Sequence, residues 1–168
     1  ALGYELIISG KLAESELQLQ RALALNSNSV RAHNLLGELY GCMGRLDSAL
    51  AGYERATALD PLEFSNLQNF ARALCFARRF DEALAMIERA AALRAEVFIP
   101  IRGEQARILM ALGRKGEAAQ AARFVRQNPE IWPRWQLDSA AVRVLRQAGY
   151  EQEASDYAAE LFSRLRSD

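Results

Sequence analysis

Apolar residues recur along this chain at the three-to-four-residue spacing of an amphipathic helix. Leu35, Leu36, Leu39, Tyr40 and Met43 form one stripe, and Leu46, Ala49, Leu50, Tyr53, Ala56 and Leu59 form a second. Gly44 stands between them, where the end of a helix favours a residue tolerant of positive φ. Pro61 follows the second stripe, which it cannot continue. The pattern predicts a helix, a short turn, a second helix and a short link.

That unit repeats. Leu2-Gly3 returns as Leu36-Gly37 and then, conservatively, as Phe70-Ala71, each step being 34 residues. Gly10 returns as Gly44, and Ala22 as Ala56 and Ala90, at the same offset. Ala49 returns as Ala83, Ala118 and Ala154, and Leu6 as Tyr40, Leu74, Leu109 and Leu145. Gly44, Gly113 and Gly149 mark the turn in three units. The series predicts one domain of five repeats, at about 1–29, 30–63, 64–98, 99–134 and 135–168, with about ten helices. Small residues at 37, 71 and 106 and at 49, 83 and 118 fit the crossing of the two helices within a repeat, where only a short side chain permits close approach.

These residues carry a family resemblance. Val30–Glu63 resembles a tetratricopeptide repeat (TPR) at Leu36, Gly37, Tyr40, Gly44, Ala49, Tyr53, Ala56 and Pro61. The third unit keeps Phe70, Ala71, Leu74, Phe80-Asp81-Glu82-Ala83 and Ala90 but has Arg78 in place of the turn glycine. The fourth keeps Leu109, Gly113 and Ala118 and puts Gln105 at a normally apolar position; the fifth keeps Val142, Leu145, Gly149 and Ala154. The first matches from part-way through its opening helix, which points to sequence upstream. The resemblance implies an all-α, right-handed superhelix (an α-solenoid) whose concave wall is built from the first helix of every repeat. It also implies a protein-binding scaffold.

Composition narrows the function. The 168 residues are 51% hydrophobic and 25% charged, which excludes a disordered chain. Lys and Arg total 21 against 21 Asp and Glu, so net charge points to neither nucleic acid nor an anionic membrane. The apolar runs are too short to span a bilayer, and the default compartment is the cytoplasm. Lys occurs only at Lys11 and Lys115, and the Ala- and Arg-rich bias fits a GC-rich bacterial genome. Residues 94–146 hold ten basic side chains against five acids, an excess that would steer an acidic partner. No aromatic platform interleaves those arginines, as nucleic-acid binding would require.

Catalysis lacks material. His33 is the only His and has no orienting acid in sequence reach. Cys42 and Cys75, 33 residues apart on neighbouring first helices, read as free thiols, and no metal-ligand, phosphate-loop or nucleophile-elbow motif occurs. The expectation is a chain that is not an enzyme and takes no cofactor or metal.

The resemblance assigns ligand-facing positions on each first helix. They fall on Arg31, Asn34, Glu38, Gly41 and Cys42 in the second unit and on Ser65, Gln68, Arg72, Cys75 and Phe76 in the third. The fourth offers Arg107 and Met110, and the fifth Arg143, Arg146 and Gln147. Arg72, Arg107 and Arg143 occupy one position in three successive repeats, and in a regular superhelix they would form a ladder of guanidinium forks suited to an acidic or carboxylate-bearing peptide. The competing reading pairs these arginines with local acids such as Glu104 or Asp138. The chaperone-tail clamp of the family is absent, because Asn34, Glu38, Pro100 and Glu104 stand where its basic and amide residues belong and only Asn69 fits. A long link, Asn128–Trp135, carries both Trp residues; Trp132 and Trp135 serve either to cover a repeat seam or as a second contact site. Two other functions remain open: a regulatory module of a larger bacterial enzyme such as a transferase, and a scaffold that self-assembles into a homo-oligomer.

Overall fold

The computed structural model describes residues 11–93, 98–127 and 135–165, the side chains of 98–100, 135–138 and 164–165 excepted. Residues 1–10 and Trp132, together with the Trp135 side chain, lie outside the described residues. The described residues form nine helices: α1 (Leu12–Leu25), α2 (Val30–Cys42), α3 (Leu46–Leu59), α4 (Phe64–Phe76), α5 (Phe80–Leu93), α6 (Phe98–Ala111), α7 (Lys115–Gln127), α8 (Trp135–Gln147) and α9 (Glu151–Leu165). No strand occurs among them, and no helix is long and apolar enough to cross a membrane. The chain divides into two compact units, residues 1–93 and 94–168. In the first, α2 packs on α3 and α4 on α5, with α1 and α3 each packed on the helix that follows. In the second, α6 packs on α7 and α8 on α9, and α8 also meets both α6 and α7.

The turn inside each helix pair is the same object four times. Gly44, Gly113 and Gly149 have φ of 71°, 74° and 96°, and Arg78 has 59°. The next backbone N–H closes on a carbonyl five residues back: Arg45 on Tyr40, Arg79 on Leu74, Arg114 on Leu109 and Tyr150 on Leu145, at 2.8–2.9 Å. This left-handed C-cap satisfies carbonyls that the helix end leaves open. Arg78 makes it without the freedom of glycine, and its guanidinium lies 5.7 Å from the centre of the Phe80 ring. Ser29 caps α2 by accepting from the Ala32 N–H, and Glu63 caps α4 by accepting from the Ser65 N–H. Pro100 falls in the first turn of α6, where a missing N–H leaves no helix bond unmade.

Side-chain size sets the packing. Ala49, Ala71, Ala83, Ala106 and Ala118 are all buried, as the small-residue series predicts. The tightest contact adds a residue the repeat pattern does not single out. A Cβ on Gly52 of α3 would lie 2.8 Å from the Gly37 nitrogen and 3.0 Å from the His33 carbonyl oxygen of α2, so the two backbones touch. A Cβ on Gly37 would lie 2.9 Å from the Tyr53 ring, which therefore rests flat on that glycine. Larger residues fill the remaining space: Leu19, Leu36 and Leu39 in the first unit, with Leu12, Leu23 and Tyr40 around them, and Ile101, Leu109, Val125, Leu145 and Tyr157 in the second.

Neighbouring helix pairs are braced by arginine, an aromatic ring and a glutamate. The Tyr40 hydroxyl donates to Glu16 at 3.0 Å, and Arg45 reaches the same carboxylate while lying 4.6 Å from the Tyr40 ring centre. In the second unit Arg123 forks onto Glu153 at 2.8–2.9 Å and lies over Tyr150, while Arg126 pairs with Glu160 over Tyr157. The Arg123 guanidinium holds the Glu153 carboxyl below its ordinary range.

Two stability results follow. Arg78→Gly raises the free energy of unfolding by about 0.5–1 kcal/mol, the left-handed penalty less the entropy of an added glycine, whereas Gly113→Ala lowers it by about 1 kcal/mol; urea unfolding measures both. Gly52→Ala drives a methyl into backbone that cannot rotate away and costs about 2 kcal/mol or more in the same assay.

Candidate functional site

The first helices α2 and α4 of the first unit enclose a cleft of about 500 Å³. Glu38, Gly41 and Cys42 of α2 form one wall, Asn69, Arg72, Ala73 and Phe76 of α4 form the other, and Leu46, Ala49 and Tyr53 of α3 close the back. Five of these are positions the sequence singles out for ligand contact: Glu38, Gly41, Cys42, Arg72 and Phe76. Among the described residues neither Glu38 nor Arg72 forms an ion pair or a side-chain hydrogen bond, with each other or with anything else. Phe76 is 77% exposed, at the rim.

Tyr53 belongs to the site although its place in the repeat marks it as core. Its ring is buried against Gly37, the residue lines the cleft, and its hydroxyl has no hydrogen-bond partner among the described residues. Burial pushes the phenol up to about 12; the Glu38 carboxylate adds to the shift and the Arg72 guanidinium opposes it. A phenol with one apolar face and one wet end is the signal that could have found it.

Asn34 stands beside the cleft in an amide chain. Its Nδ2 donates to Asn66 Oδ1 at 2.7 Å, and its Oδ1 accepts from Asn69 Nδ2 at 3.3 Å. Asn66 is buried and its own Nδ2 has no hydrogen-bond partner among the described residues. The chain fixes α2 against α4, so Asn34 has a structural task already. Gln68 is half-buried on α4 and does not line the cleft.

In the second unit α6 and α8 enclose a smaller cleft of about 380 Å³. Arg107, Met110 and Ala111 come from α6, and Ala140, Arg143, Val144 and Gln147 from α8. Both arginines are exposed and unpaired among the described residues, Glu104 included, and the described lining residues include no acid. Arg146 sits outside this cleft, with its Nε 3.4 Å from Glu151 Oε2.

The other candidate chemistry is accounted for. His33 Nε2 donates to the Ser27 carbonyl oxygen at 2.9 Å and so ties down the link before α2. Neither Cys42 nor Cys75 is in a disulfide, and Cys42 is exposed on the cleft wall. Among the described residues no group of three His, Cys, Asp or Glu could hold a metal ion.

Comparison with known proteins agrees with the repeat geometry. Residues 30–61, the α2–α3 pair, match the family model of the tetratricopeptide repeat, a protein-interaction repeat whose proteins are generally non-catalytic scaffolds. No curated protein sequence matches the chain. Among solved structures, the crystal structure of MamA is similar with a TM-score of 0.83 at 16% identity, covering 99% of this chain and 96% of that one. The nearly identical TPR-like repeats of a putative kinesin light chain from Podospora anserina give 0.82 at 19% identity, covering 96% and 90%. PilF of Pseudomonas aeruginosa gives 0.80 at 19% identity, covering 97% and 72%. The fold is thus the all-α helical solenoid of tetratricopeptide repeats.

The Tyr53 environment fixes a pH dependence. Its folded-state value lies above the ordinary 10.0, so the neutral phenol favours the folded state; that contribution is complete below pH 10 and is lost as pH rises through about 12. Stability of the native chain falls by about 2–3 kcal/mol more over that window than stability of Tyr53→Phe, measured by urea unfolding at a series of pH values.

Proposed function

We propose that this chain is a non-catalytic interaction module that holds an acidic segment of a partner protein in the clefts between its first helices, through Arg72 in one unit and Arg107 and Arg143 in the other. The observation that carries the reading is selective engagement of arginine. Among the described arginines of the second unit, Arg114, Arg123, Arg126 and Arg146 are paired with glutamates, and Arg102 donates to Gln105. Arg107 and Arg143 alone have no partner, and they are the two that share a cleft. Like charges held across a cleft whose described lining has no acid repel each other, and an anion between them relieves that repulsion while taking up two planar forks. Apolar Met110 and Val144 beneath them give a bound segment something to bury.

The test uses an array of short capped peptides of varied sequence, read with the native chain and with the triple variant Arg72→Glu, Arg107→Glu, Arg143→Glu, whose fold is checked by circular dichroism. Acid-rich peptides bind the native chain, lose at least about tenfold in affinity with the variant, and weaken as salt rises. Equal binding by both chains overturns the reading.

A further inference from the structure

The α2–α4 cleft of the first unit differs from the α6–α8 cleft of the second in a way that names its ligand. We infer that it receives a partner segment carrying an apolar side chain flanked by one basic and one acidic residue, with the segment's backbone passing over Gly41. The inference rests on the reading that these clefts hold a partner and changes what the first cleft demands of it.

Gly41 is the first reason. It lies within α2, lacks the positive φ that requires glycine at Gly44, and a Cβ placed on it would meet nothing within 4 Å. Glycine in a helix weakens it relative to alanine. Neither turn geometry nor packing asks for glycine here, unlike Gly37 and Gly52, whose missing side chains are used by the helix crossing. What its absence of side chain does is hold the cleft wall open, as close passage of another backbone needs.

Charge is the second. Glu38 lies about one turn before Gly41 on α2, and Arg72 faces the cleft from α4. The two have opposite signs and are not bonded to each other, so each awaits its own partner. A purely acidic segment would set a carboxylate against Glu38; a purely basic one would set a cation against Arg72. Only a ligand with both signs satisfies the pair, and Tyr53, which feels both charges and lines the same cleft, offers a further hydrogen bond.

Apolar surface is the third. Phe76 stands one turn beyond Arg72, 77% exposed, and Leu46, Ala49 and Ala73 line the interior. Folding does not use the Phe76 ring, whereas a buried apolar side chain from a ligand would. A volume of about 500 Å³ accommodates one large apolar side chain with the stems of its charged neighbours.

The experiment uses capped, fluorescently labelled peptides with one leucine between one lysine and one glutamate, at increasing spacings and in both orders. Matched peptides carry two glutamates or two lysines, and binding is read by anisotropy. The best two-signed peptide binds the native chain at least about tenfold more tightly than its two-glutamate and two-lysine counterparts. Gly41→Leu abolishes this binding with the melting temperature unchanged or raised, and the exchange variant Glu38→Arg, Arg72→Glu prefers the opposite order of lysine and glutamate. If two-glutamate peptides bind as tightly as two-signed ones and Arg72→Glu removes that binding, the two-sign inference falls and the acidic-segment reading stands. If two-signed peptides bind Gly41→Leu undiminished, this cleft is not the site. If no peptide here or on the array distinguishes the native chain from its charge variants, both readings fall.

Discussion

The structure depends on how closely two helices can cross. Gly37 and Gly52 bring α2 and α3 to backbone contact, and alanines at 71, 83, 106 and 118 are buried in the later pairs. Close crossing has a second result in the first pair. The space that a side chain on Gly37 would occupy is filled by the Tyr53 ring, which lies flat, and the same residue lines the cleft. The back wall of the candidate site is thus made by the same contact that seals the repeat. A bulkier residue at 37 or 52 would separate the helices and move that wall.

Charged side chains do two kinds of work, sorted by position. Arg45, Arg123 and Arg126 brace one helix pair to the next, each lying over a ring while paired with a glutamate. Such partly exposed pairs contribute at most about 1 kcal/mol each, so their value lies as much in fixing register as in stability. Among the described residues Arg72, Arg107 and Arg143, on the first helices, have no such partners, and they line clefts. An arginine-rich composition alone does not distinguish these uses; the geometry of each guanidinium does.

Much of this was legible in the sequence, because one offset orders the whole chain. The helix pairs, their turns and the buried alanines follow from a period of 34–36 residues. Arg78 was legible as a departure, yet the turn forms all the same, since the backbone bonds around it are those of the glycine turns. Gly52 was not legible, because Met86, Ala121 and Tyr157 stand at the matching positions and make no series. The pairing of Arg146 with Glu151, and the lack of one at Arg107 and Arg143, depend on side-chain reach across turns and helices rather than on spacing. Spacing puts Asn34 among the ligand-facing positions but does not reveal that Asn66, which no pattern marks, ties it into the α2–α4 contact. Trp132 and the Trp135 side chain lie outside the described residues.

The braces share one further property. Tyr40 to Glu16 spans 24 residues, Asn34 to Asn66 spans 32, Arg123 to Glu153 spans 30 and Arg126 to Glu160 spans 34. None of these bonds has to wait for a distant part of the chain. Loop-closure entropy stays small at each step, which places the chain among low-contact-order, fast-folding topologies. During synthesis a helix pair can close as soon as it clears the ribosome, and the next can dock on it in turn. Assembly by addition at one growing end leaves little unpaired apolar surface exposed at any moment.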